Sequence, residues 1–278
     1  MRTGARWAGY VAFAVVFAVA CGFLADWQFT RNADREEQLT LIAANYDADP
    51  VPLAELVPAG GAFDPADQWH PVVLEGQYLP DEQLLVRNRP HGGTSAFEVL
   101  VPFRLDDGRV LVVDRGWVPP GEDSPDPDAV PEPPTGEATV IVRLQPGEPL
   151  PRSGRTAPEG QVPTIHLPLI AGTIASGGAA MTDVYGLMVS ESPAPATQPS
   201  ALASPSEDPG PHLSYAIQWI LFAVMGFVFI WYMIRTERRH RREDAEDGDG
   251  RPRVPREKRR RDRDMQEEDA LLDAVTPR

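Results

Sequence analysis

Apolar positions along this chain fall into two kinds of pattern. At either end stands a long charge-free run, Trp7–Ala25 and Leu213–Ile234, and between them short β-branched stretches alternate with turn residues. A helix rises about 1.5 Å per residue, so runs of 19 and 22 residues reach ~28 and ~33 Å, against a bilayer hydrocarbon core of about 30 Å. Each run therefore predicts a transmembrane helix. Helical spacing persists after the first, where Trp27, Arg31 and Arg35 recur at i, i+4, i+8 and Leu39, Ile42 and Ala43 continue the face. Pro50, Pro52 and Pro58 end that helix.

From Pro71 onward the pattern becomes that of strands. Val72–Leu79, Gln83–Asn88, Phe97–Leu105, Arg109–Val118, Ala138–Gln145 and Asp183–Ser190 are rich in β-branched and aromatic residues. Turn residues separate the first four: Pro80-Asp81, His91-Gly92-Gly93 and Asp106-Asp107-Gly108. The last is a hairpin signal, Asp-Gly between two apolar strands. Pro119–Gly136 reads as an acidic, proline-rich loop and Leu167–Ser176 as a short helix, while Ser192–Pro211 is rich in Ser, Pro and Ala and reads as a flexible tether. The predicted fold is two terminal transmembrane helices flanking a mainly β domain, a curled antiparallel sheet or partial barrel with one or two helices.

Charge orients the two spans. Arg2 and Arg6 precede the first, and Arg235, Arg238, Arg239, Arg241 and Arg242 follow the second. Basic flanks remain on the cytoplasmic side. Residues 26–212 carry 28 acidic residues against 10 arginines and no lysine. The predicted organisation is a cytoplasmic N-terminus (1–6), helix 1 (7–25), an extracytoplasmic β-rich domain (26–191), the tether (192–212), helix 2 (213–234), and a charged, disordered cytoplasmic tail (235–278). The expected location is the cell membrane, multi-pass, with both termini inside. A second reading of the first run is a secretory signal, with Ala18-Val19-Ala20 before Cys21. The run's continuation through Gly22–Ala25 favours an uncleaved span. Cys21 is the sole cysteine, so no disulfide forms within the chain.

The motif survey removes most enzyme classes. There is no G-x-S-x-G, H-E-x-x-H, P-loop or G-x-G-x-x-G, and no C-x-x-C or C-x-x-C-H. His70, His91, His166, His212 and His240 show no ligand spacing. Acidic residues fall mostly in proline-rich loops, where a solvated carboxylate is the simpler account, and the acidic exterior argues against nucleic acid. The chain is expected not to be an enzyme.

Four clusters remain. Val86-Arg87-Asn88-Arg89-Pro90 closes a strand with two arginines; it is either a surface turn with ion pairs or a clamp for carboxylates, which the guanidinium fork suits. Val110–Pro119 ends in Asp114-Arg115-Gly116-Trp117, where the charged pair reads as fixing the strand end. Trp27-Gln28 with Arg31 and Arg35 lies just outside the first span, where Trp alone would be an interfacial anchor. His212-Leu213-Ser214-Tyr215-Ala216-Ile217-Gln218-Trp219 opens the second span. His212 is either a wet interfacial histidine or a ligand facing the helix pair.

Together these clusters resemble the Surfeit-locus family of cytochrome c oxidase assembly factors. The matching pieces are Trp27-Gln28-x-x-Arg31, Gly76-x-Tyr78, Val86–Pro90, Val112–Pro119 and His212-Leu213-x-Tyr215-Ala216-x-Gln218-Trp219, in register across about 190 residues. Arg35 stands where the family often has Lys, and Gly210-Pro211 where Asn commonly precedes the His; the tether and tail look private to this chain. The resemblance implies assembly of the haem-copper oxidase by holding haem a, or handing it over, before its insertion into the catalytic subunit. It makes His212 the candidate axial ligand to the haem iron. A flat, apolar porphyrin would sit between the helices near their outer ends. Trp219, Phe222, Phe227, Phe229 and Trp231 are available to pack it, and Arg31, Arg35, Arg87 and Arg89 to meet its propionates. Implied partners are the oxidase subunits, above all the haem-bearing one, with the haem a synthesis machinery and membrane lipid. Two other classes stand beside this one. A membrane-anchored interaction module would stabilise oxidase subunits without haem. Copper delivery is disfavoured by the lack of paired cysteines.

Overall fold

The structure, a computed structural model, describes residues 3–91 and 93–247. The chain divides into two compact units, the helical ends (Met1–Gln28 with the residues from Leu213 onward) and the domain Phe29–His212. The first apolar run and the helix expected after it are one element, α1 (Thr3–Asn45), and the second run lies in α4 (His212–Asp247). The tail expected to be disordered over 235–278 is thus helical as far as Asp247; the rest of that tail lies outside the described residues.

Both helices are long and apolar enough to cross a membrane. In the helical unit their burial is inverted relative to a water-soluble pair. The small residues Ala14, Cys21, Ala25 and Ala216 are buried, while Phe13, Phe23, Phe229 and Tyr232 are exposed. Small residues let helix backbones approach where lipid, not water, surrounds them. A Cβ on Gly226 would lie 3.4 Å from the Phe17 ring, and Arg6 pairs with Glu237 at 3.0 Å, so the two helices run antiparallel.

The domain is built on β1 (Val51–Pro52), β2 (Pro71–Tyr78), β3 (Leu84–His91), β4 (Thr94–Leu105), β5 (Val110–Val118), β6 (Glu137–Pro146), β7 (Gln161–Val162) and β8 (Val184–Ser192), with short helices α2 (Leu53–Leu56) and α3 (Leu167–Ala171). The sheet order is β1-β2-β6-β8-β5-β4-β3-β7, and β2 pairs again with the end of β4, closing the ring β2-β6-β8-β5-β4. The partial barrel is therefore present. The sheet is mixed and not antiparallel throughout, because β5–β8, β1–β2 and β3–β7 are parallel. β8 arrives after the α3 excursion and inserts between β5 and β6, so it cannot extend a simple meander. Ring closure requires Gly76. Its φ is +150°, and a Cβ there would lie 2.0 Å from the Arg104 carbonyl oxygen on β4.

Alternation along the central strands divides two cores. Val99, Val101 and Phe103 of β4, with Leu74, Leu111, Val113, Val140 and Val142, fill the ring. On the other face Leu100 and Val112 join Leu84, Val86 and Tyr185 beneath Ile165, Leu167 and Ile170. Burial on both faces is why β4 and β5 read as almost unbroken apolar runs. At the intervening turn, Gly108 takes φ +86°, as the Asp-Gly signal requires.

Candidate functional site

The stretch before α4 was expected to be a tether, and it is laid against the domain. Ser200 exchanges backbone hydrogen bonds with Trp117 at 2.9 Å in each direction, and the Trp117 indole N–H donates to the Ala201 carbonyl at 3.2 Å. Further on, the Tyr46 hydroxyl donates to Ser204 Oγ at 3.0 Å, and Arg35 donates to the carbonyls of Ser206 (2.5 Å) and Asp208 (2.9 Å). This strap ends at Gly210 and Pro211, and His212, half-buried, opens α4.

The arginines singled out from sequence have separate fates. Arg31 is exposed on α1, 4.0 Å from Asp34. Arg35 is held by the two strap carbonyls, so it is not an uncommitted cation. Arg87 is half-buried on β3, and its Nε is buried without a hydrogen-bond partner among the described residues. Arg89 is committed: its Nε lies 2.6 Å from Glu98 and an Nη lies 2.7 Å from Glu148. Of the two sequence readings of Val86–Pro90, the ion-paired turn describes Arg89. Asn88 between the two arginines has φ +61° at an irregularity in the β3–β4 register.

Around Arg89 the fold gathers charge that the sequence reading missed. Glu148 accepts from Thr164 Oγ1, from the Ile165 N–H at 3.0 Å and from Arg89. Burial opposes ionisation, yet these donors hold its carboxyl below the usual range. Glu98 is 2.9 Å from His91 Nε2, and the His91 ring stacks on Trp117 at 5.5 Å. Asp114 is buried, accepts from the Gly116 N–H at 3.0 Å, and leaves Oδ2 without a partner among the described residues. Burial, then the nearby Glu98, pushes its carboxyl well above the ordinary value. Burial and the Asp114 charge likewise raise the Tyr185 phenol.

Arg115 does not pair with Asp114. It faces into the ring, where Nε and an Nη meet Glu191 at 3.1 and 2.6 Å, both side chains fully buried. It also donates to the Pro131 carbonyl at 2.9 Å and lies 5.5 Å from the centre of the Tyr78 ring. Glu98, Glu148 and Glu191 were not singled out from the sequence, where most acids fall in proline-rich loops. Only strand alternation, placing Glu98 and Glu191 at inward positions, could have marked them.

Trp219 is half-buried on α4, edge-to-face with Phe222 at 5.7 Å. Of the other aromatics proposed to pack a porphyrin, Phe227 and Trp231 are exposed, and Phe229 lines an apolar groove of about 900 Å³ in the helical unit with Gly9, Phe13, Phe17 and Gly226. Its α4 residues, Gly226–Met233, begin ~21 Å along the helix from His212 at about 1.5 Å per residue. The groove therefore does not mark the outer end where the porphyrin was expected.

The SURF1 family model matches residues 15–224. An uncharacterised SURF1-like protein of Mycobacterium tuberculosis is 35% identical over 242 residues, covering 86% of this chain and 87% of the relative. A SURF1-like protein of Rickettsia felis is 26% identical over 101 residues, 36% of this chain and 40% of the relative. The cytochrome oxidase assembly protein SHY1 of Saccharomyces cerevisiae is 26% identical over 107 residues, 37% of this chain and 26% of the relative. A match running from the first apolar helix through the whole β domain into the second, together with a relative similar over nearly its full length, establishes that this chain belongs to the SURF1 family.

Proposed function

We propose that this chain is a non-enzymatic assembly factor for haem-copper cytochrome c oxidase, which carries haem a as cargo and passes it to the haem-bearing subunit. The observation that carries the reading is family membership, since a yeast relative bears the name cytochrome oxidase assembly protein. The apolar helices hold the chain in the cell membrane with both termini cytoplasmic, as the basic flanks favour. His212 would hold the haem iron through its imidazole, and Trp219 would pack against the porphyrin. The donor chemistry supports this in part: an imidazole heads an apolar helix, and Arg87 has a buried Nε without a partner among the described residues. The propionates fall to Arg87, since Arg31 already lies 4.0 Å from Asp34. Arg35 and Arg89 drop out, because carbonyls and carboxylates already engage them.

That engagement also favours a second reading, an interaction module that steadies oxidase subunits without haem. One experiment separates the two. Detergent-purified protein from cells able to make haem a should show a haem absorption band, and His212→Ala should remain inserted and abundant but lose the band together with oxidase activity. His70→Ala should change little. A band-free wild type whose deletion still abolishes oxidase selects the module, and undiminished haem in His212→Ala removes the ligand assignment.

A further inference from the structure

The strap that precedes α4 is fixed residue by residue, and the fixing groups converge on His212. From α1, the Arg35 guanidinium reaches two carbonyls two residues apart, those of Ser206 and Asp208. Asp208 turns its own carboxylate forward, where Oδ1 accepts from the Gly210 N–H at 2.8 Å, and its N–H donates to Ser206 Oγ at 3.2 Å. Gly210 takes φ +73°, a conformation side chains rarely adopt, and a Cβ there would meet His212 Cδ2 at 3.5 Å. The imidazole therefore lies alongside Gly210. Pro211 locks the next φ, and His212 begins the helix.

We propose that Arg35 and Asp208 are positioning residues for His212: they hold the strap so that the imidazole is presented from the head of α4 in one orientation. This rests on the reading of His212 as the iron ligand. The chemistry explains why an arginine is used. One planar guanidinium grips two carbonyls at once and fixes both the distance and the direction of the strap, where a neutral hydrogen bond would fix one. A metal ligand held by a preorganised backbone loses less freedom on binding than one at the end of a mobile linker. Cargo must also leave, so the ligand's mobility sets the rate of handover as well as its affinity. Arg35 thus acts on haem through His212, without contacting a propionate.

The test uses the full chain in detergent, as wild type, Arg35→Ala, Arg35→Lys, Asp208→Ala and His212→Ala. The first readout needs no haem: carbethoxylation of His212 by diethylpyrocarbonate, followed by mass spectrometry with His166 as internal reference. Loss of the clamp should speed His212 modification severalfold and leave His166 unchanged, and Arg35→Lys, which keeps the charge without the planar fork, should recover only part of the protection. The second loads the same proteins with hemin and follows its transfer to apomyoglobin and its optical spectrum. Arg35→Ala and Asp208→Ala should release hemin severalfold faster and shift toward a high-spin spectrum, with Arg35→Lys between them and wild type.

Unchanged His212 reactivity and unchanged hemin release in Arg35→Ala and Asp208→Ala would overturn the proposal. A wild type that takes up no hemin removes the cargo reading instead. In that event the carbethoxylation rates alone decide whether Arg35 positions His212.

Discussion

Arg115 and Asp114 are adjacent in the chain and face different cores, and their neighbours decide what each contributes. Arg115 belongs to a fully buried pair with Glu191, so removing one member strands the other in a low-dielectric interior at a cost of ~3–5 kcal/mol. Whole domains have margins of only about 5–15 kcal/mol. Arg115→Ala and Glu191→Ala should each lower abundance and the thermal midpoint of the detergent-solubilised protein, and the double change to Met and Leu should recover much of the loss. Full abundance with a wild-type midpoint in Arg115→Ala would refute a structural role. Asp114 behaves differently, because its carboxyl is pushed up in the fold by burial and by Glu98. An unfolded aspartate ionises near ~4. Its contribution to stability is therefore complete below that value and is lost as pH rises toward and through the folded pKa. Asp114→Asn, which keeps an acceptor for the Gly116 N–H, should flatten this decline across the mildly acidic range. The comparison is made by thermal unfolding at a series of pH values, and an unaltered slope would show that Asp114 is ionised in the fold.

The elements that alternation specifies were readable, and those that depend on distant partners were not. β2, β4, β5, β6 and β8 coincide within a few residues with apolar stretches visible in the sequence, because each carries a buried face. β1 and β7 are two-residue parallel pairings at the margins of the sheet, and no local pattern encodes them; Pro52, read as a helix breaker, sits in one as an edge residue. Of the candidate site, His212 and the arginines were nameable from motifs. The commitments of Arg35 and Arg89 arise from Ser206, Asp208, Glu98 and Glu148, and those separations are set only by the fold. The strap is the clearest case. Its Ser/Pro composition reads as flexible, yet Gly116 admits it against β5. Gly116 has φ +120°, and a Cβ would lie 2.3 Å from the Ser200 carbonyl oxygen. Gly116→Ala should therefore dislodge the strap and make residues 192–211 more susceptible to limited proteolysis, with cut sites mapped by mass spectrometry. Cleavage at the wild-type rate would show that the Trp117–Ser200 pairing does not hold the strap in solution.

At the scale of the whole molecule, the distribution of charge makes a claim that neither unit makes alone. Ten arginines face 28 acids across residues 26–212, while the short flanks beyond the two apolar runs are strongly basic. Cytoplasmic retention acts on Lys and Arg close to a span, and acidic residues contribute little. The five arginines within eight residues of the second run are therefore the expected determinant of the proposed orientation, and the acidity of the domain is expected to contribute little. Antiparallel packing in the helical unit agrees with an even number of crossings, since Arg6 and Glu237 meet at one end. Cysteine labelling tests this directly, because Cys21 is buried and its replacement by Ser leaves a silent background. Ser153 stands exposed in a domain loop. Ser153→Cys should react with a membrane-impermeant maleimide in cells whose cytoplasmic membrane is intact, whereas Thr276→Cys should react only after that membrane is opened. Neutralising Arg235, Arg238, Arg239, Arg241 and Arg242 together should weaken this bias and let part of the population expose Thr276→Cys. Labelling of Thr276→Cys in intact cells with the arginines present would place the C-terminus outside. The domain would then face the cytoplasm, and a haem ligand at the outer head of α4 would have to be abandoned.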